Sequence, residues 1–185
     1  INCVVSSNKA VFGGGCYYGI LSNCTVRGNA AAQDGGGVSR VNPMVNCVLW
    51  GNSAGRDGGG VNGITNDEMD NCTVYGNTAG LRGGGTFGLT VRNCIVYFNA
   101  SGMFGPNVNG SFVDYTCTTP LPSMGFGNFT NDPLFMDVAA NNVRLRPGSP
   151  CIDAGNNAFS HGNKDLDGLT RIRGTNVDLG AYEGA

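Results

Sequence analysis

Charge is scarce in this chain. Only 13% of its 185 residues are Asp, Glu, Lys or Arg, the net charge is −2, and there is a single histidine. Lysines and arginines stand singly from Lys9 to Arg173, which leaves no basic footprint for nucleic acid or an anionic bilayer. No apolar run approaches the ~20 residues of a membrane-spanning helix, so membrane insertion is not expected. A charge-rich disordered tail is excluded by the same shortage. What abounds instead is glycine, with 32 residues, and asparagine, with 23. That many turn formers exclude a helical bundle, while 41% hydrophobic residues still suffice for the core of one domain. No charged and apolar leader opens the chain, which is the expectation for a processed chain or a fragment.

The dominant signal is a repeat. NCVVSSN, NCTVRGN, NCVLWGN, NCTVYGN and NCIVYFN begin at Asn2, Asn23, Asn46, Asn71 and Asn93, in steps of 21, 23, 25 and 22 residues. A glycine triplet starting at Gly13, Gly35, Gly58 and Gly83 keeps nearly the same step. Leucine-rich repeats share this period, but their leucine pattern is missing and each unit is too glycine-rich for a helix. Cysteine and an aliphatic residue alternate in each unit, as in Cys24/Val26 and Cys72/Val74, which is the period of a strand with one face inward. Short strands joined by tight corners every ~23 residues describe an all-β parallel β-helix with rungs about 4.8 Å apart. Residues 1–117 are expected to form the coils, and 118–185 a continuation and irregular cap of the same domain.

Equivalent residues of successive coils stack, so ladders are expected. Asn8, Asn29, Asn52, Asn77 and Asn99 form an amide ladder, each side chain able to donate and accept along the axis. Cys3, Cys24, Cys47, Cys72 and Cys94 share one inward position, with Cys117 as an expected sixth rung. Eight cysteines permit disulfides, but in-register stacking suits thiol packing better than the fixed torsion of a bridge, Cys16 and Cys151 being the expected exceptions.

The glycine corner followed by V-x-x-N resembles the paired GGA-I and F-x-x-N repeats of polymorphic outer-membrane proteins and autotransporter passengers. NNVRLRPGSPCIDAG from Asn141 and DLDGLTRIRGTNVDLGAYEG from Asp165 resemble the closing segment of large anchor-bearing bacterial β-helix proteins. The resemblance implies a right-handed β-helix with a pectin-lyase-like fold, located outside the cell or on its surface. With the chain ending at Glu183-Gly184-Ala185, the anchor or translocation domain that the resemblance would add is not expected within it.

Candidate sites follow from these ladders. Outward alternation places Arg27, Trp50, Tyr75 and Tyr97 in one stripe, a platform for a polysaccharide or a protein partner. Two other arrangements compete with this: a cover by Leu121, Met124, Phe126 and Phe129 of the segment from Thr118 to Asn142, and lateral packing between subunits. The acidic group Asp67, Glu68 and Asp70 is either catalytic or, for Asp70, a cross-coil ion pair with Arg92. His161 and Arg171-Ile172-Arg173 faintly resemble the histidine and basic motifs of polygalacturonases, whose aspartate motifs have no counterpart here. Asn163, Asp165 and Asp167 alternate as in a calcium loop, yet the twelfth position is Gly174, and a turn held by Asp side chains accounts for the same residues. Beyond that calcium no cofactor is expected.

Asn2 already lies inside the first repeat, so an open edge is expected there, docking onto other copies or adjoining coils. The functional expectation is a non-enzymatic extracellular protein of adhesion or head-to-tail self-assembly, with a carbohydrate-binding or polysaccharide-degrading protein as the alternative.

Overall fold

The computed structural model describes residues 1–184 and is a parallel β-solenoid with coils of about 22 residues. Its first sheet stacks Val4–Ser6, Thr25–Arg27, Val48–Trp50, Thr73–Tyr75, Ile95–Tyr97 and Cys117–Thr118, all parallel, through about five turns. The second sheet consists of two-residue strands from Lys9–Ala10 to Ala100–Ser101. The third begins with two long strands, Cys16–Ser22 and Val38–Val45, and then divides into two branches. The division falls where the longest repeat inserts a turn, in which Asp67 Oδ2 accepts from the N–H of Ile64 at 3.0 Å.

Each glycine triplet has three separate physical causes. The first glycine takes a left-handed φ, +66° at Gly58. A Cβ on the second, Gly59, would strike the Thr78 carbonyl, and one on the third, Gly60, would press on the amide of Asn77. The corner before each inward cysteine is an asparagine held at φ between 51° and 54°, a conformation asparagine tolerates better than most residues.

Two cores result. The interior one fills the solenoid with Cys24, Val26, Met44, Leu49, Met69, Val74, Val91 and their ladder mates. The other lies on the outer face of the first sheet, where Val48, Tyr75, Ile95 and Cys117 meet Phe135, Val143, Leu145, Cys151 and Leu179. The expected continuation of the coil beyond 118 is therefore replaced by a second layer. After Cys117–Thr118 both markers of the repeat are missing, and the chain makes an antiparallel hairpin, Phe135–Asp137 with Asn142–Leu145, followed by irregular backbone. Among the described residues no helix is long and apolar enough to cross a membrane.

Candidate functional site

The inward cysteines form a hydrogen-bonded ladder as well as a packed one. Cys47 N–H donates to Cys72 Sγ and Cys72 N–H to Cys94 Sγ, each at 3.3 Å. Every thiol in turn donates to a carbonyl two residues back, as Cys72 does to Asp70 O at 3.2 Å. Burial and the thiols above and below push Cys72 well above the ordinary thiol range. The expected sixth rung is corrected: Cys117 pairs in register with Ile95 and faces the outer core, because the sixth coil substitutes Tyr115-Thr116 for Asn-Cys. Cys3 at the first coil is exposed.

The amide ladder runs in one direction. Asn52 N–H and Nδ2 both donate to Asn77 Oδ1, at 3.0 and 2.9 Å, and the same pair of bonds links Asn8 to Asn29, Asn29 to Asn52 and Asn77 to Asn99. Its last rung is a residue the repeat did not reveal. Asn107 stands where earlier coils have the third glycine of the triplet; its Oδ1 accepts from Asn99, and its Nδ2 donates to Thr119 O at 2.6 Å.

The aromatic stripe exists but is covered. Arg27, Trp50, Tyr75 and Tyr97 are successive partners in register, with the Trp50 and Tyr75 rings stacked at 6.2 Å. Tyr75 is only 3% exposed, its ring beside Phe135 and its hydroxyl donating to Asn141 Oδ1. Tyr97 donates to Thr130 O at 2.9 Å, and Arg27 lies over Trp50 at the exposed end. Tyr75 therefore lies in a covered seam, Trp50 and Tyr97 are partly buried, and Arg27 is exposed. The cover comes in part from the expected segment Thr118–Asn142, through Phe129, Thr130, Phe135 and Asn141, and in part from Val143 and Leu145 beyond it, while Leu121, Met124 and Phe126 remain exposed.

The acidic candidates are engaged in structural bonds. Asp70 receives a bidentate pair from Arg92 at 2.7 and 3.0 Å, and His161 Nε2 lies 2.8 Å from the same carboxylate; Glu68 pairs with Arg92 at 2.9 Å. In the Asn163–Asp167 loop, Asp165 accepts the N–H groups of Leu169 and Glu183, each at 2.8 Å, while Asp167 is held bidentately by Arg144. These carboxylates close a turn and an ion pair, and among the described residues no cluster of three or more His, Cys, Asp or Glu is arranged for a metal.

The closing motif forms a buried knot instead. Arg171, 1% exposed, donates from Nη2 to the carbonyls of Asp178 and Gly180, at 3.1 and 2.7 Å, with Nε 3.4 Å from Glu183. Asp178 accepts from Asp153 and Gly184, and Glu183 accepts from Asp178 N–H. Burial, only partly offset by Arg171, pushes the Glu183 carboxyl up to about 7. The corner asparagines tie this layer to the solenoid: Asn46 donates to Lys164 O, Asn71 bridges Phe159 O and Arg171, and Asn93 exchanges two bonds with Asn156. The repeat displays these asparagines, but nothing in it marks their second role.

The two ends of the solenoid differ. At the late end residues 119–130 cross the last coil: Thr116 N–H donates to Asn128 Oδ1, Tyr115 N–H to Phe126 O and Thr118 N–H to Phe129 O. At the early end Val4–Ser6, Lys9–Ala10 and Cys16–Ser22 are edge strands of all three sheets. There Cys3 and Asn8 are exposed, Val5 is half-buried, and Asn8 Oδ1 meets no donor among the described residues. Val4, Tyr17, Tyr18 and Ile20 add exposed apolar surface to the same coil. No protein-family model matches the chain, and neither does any curated protein.

Proposed function

We propose that this chain is a non-enzymatic extracellular β-solenoid, in the manner of the autotransporter-passenger and pectin-lyase-like proteins its repeats resemble, and that it acts in assembly at a cell surface. The observation that carries the proposal is the asymmetry of its ends. A covered late end and an early end with three edge strands, a free amide acceptor and exposed apolar side chains favour docking of one further β-coil by strand addition. The occupant is a coil of the same kind, from an adjoining stretch of solenoid or from a second copy. Head-to-tail fibres of identical copies are disfavoured, since 119–130 covers the surface such stacking would need.

Sedimentation of the purified chain across a concentration series, with amide exchange read at residues 4–22, tests this. Concentration-dependent association that slows exchange in these strands, and is lost in Cys3→Lys, is the expected result. A monomer whose first-coil amides are already as protected as those of the third coil overturns it.

A further inference from the structure

One pair of cysteines differs in geometry from the rest. Cys24, Cys47, Cys72 and Cys94 stack on adjacent in-register parallel strands, where Cα–Cβ bonds run side by side and do not suit the near-perpendicular torsion of a disulfide. Cys117 points the other way, outward from the first sheet, and Cys151 comes to it from the opposing layer. Neither has exposed surface and they share one cluster, where the neighbouring Cys151 thiol and burial together raise Cys117, whose own thiol donates to Asn131 O at 3.2 Å. The layers approach closely here. Gly180 N–H donates to Asn93 O at 2.9 Å and Ala181 N–H to Thr73 Oγ1 at 3.1 Å, and a Cβ on Gly180 would strike that hydroxyl. Cys151 is fixed beside this contact, its carbonyl accepting from Leu179 N–H and its own N–H donating to Ser149 Oγ.

We propose that Cys117 and Cys151 are a disulfide-forming pair that fastens the C-terminal layer to the last coil. The oxidant is a low-molecular-weight disulfide. The Cys151 thiolate attacks one of its sulfurs and expels one small thiolate; the Cys117 thiolate then attacks the Cys151 sulfur of the mixed disulfide and expels the second. The protein loses two electrons and two protons, and one small disulfide becomes two small thiols. The adjacent Cys151 thiol and burial raise Cys117 and keep it protonated in the docked state, so exchange takes place while the layer is undocked, during folding.

The test is to refold the full chain from denaturant in a glutathione redox mixture, alkylate it and map its peptides without reduction. One link, 117 to 151, with six alkylated cysteines, is the expected result. As a second readout, chymotrypsin nicks the exposed segment at Phe126; the nicked chain keeps its full mass in denaturing electrophoresis until reductant is added. Cys117→Ser and Cys151→Ser each abolish that behaviour. Eight alkylated cysteines, or a link within the 24–47–72–94 ladder or to Cys16, overturns the proposal. Because mapping uses the unaltered chain, its outcome does not depend on whether a variant folds.

Discussion

Thr116 does in the sixth coil what Cys94 does in the fifth. Cys94 Sγ accepts from Cys72 N–H and donates to Arg92 O; Thr116 Oγ1 accepts from Cys94 N–H at 3.4 Å and donates to Asp114 O at 3.0 Å. The ladder therefore selects a small side chain that both donates and accepts.

Cys72 tests that requirement. Cys72→Ser keeps an acceptor for Cys47 N–H, whereas Cys72→Val leaves this buried donor unpaired at a cost of about 1–3 kcal/mol. Urea denaturation should place Ser above Val. Equal midpoints would reduce the thiols to packing alone.

Asparagine substitutions should follow position. Asn77→Ala removes the shared acceptor of two Asn52 donors inside the core, for a loss of about 2–4 kcal/mol. Asn8→Ala, at the exposed start of the ladder, should stay within about 0.5 kcal/mol. Thermal unfolding of the two variants checks the gradient; comparable losses would contradict it.

Stability should fall as pH rises. The Glu183 carboxyl goes from an ordinary 4.5 to about 7 on folding, so between these values the native state holds a proton that the unfolded chain has released. At about 1.4 kcal/mol per unit this is about 3 kcal/mol, present below 4.5 and lost on passing upward through about 7. Buried Asp178, also raised, acts in the same direction. Denaturation midpoints from pH 4 to 8 should show the slope, and Glu183→Gln should flatten it.

Arg171→Met should loosen the C-terminal layer, because it strands Glu183 beside Asp178 without a cation, at about 3–5 kcal/mol. Trp50, the sole tryptophan, packs against this layer between Arg27 and Tyr75. Its emission should shift to the red in the variant under mild denaturant, before loss of strand signal. Simultaneous loss of both signals would mean that the layer and the solenoid unfold as one.

The coil, its register and the asparagine ladder are legible in the sequence because stacking forces like residues onto one position, and the steps of 21 to 25 residues reappear as strand pairing from Val5 to Val96. The stripe is legible for the same reason. What covers it is not, because residues 118–184 have no repeat, and an apolar residue there reveals its type without its partner. Cys117 misleads through its identity: counting 22 from Cys94 leads to Thr116, and only hydrogen-bonding capacity, shared by thiol and hydroxyl, reveals the equivalence. Asn107 hides likewise behind a departure from the glycine triplet.

The corner asparagines at 46, 71 and 93 all grip the overlying layer, in three consecutive turns. Repeat proteins commonly peel apart one unit at a time, since each touches only its neighbours. Here a splint spans the middle of the stack, so those turns cannot unzip singly; fraying is confined to the early turns, and the remainder must give way together.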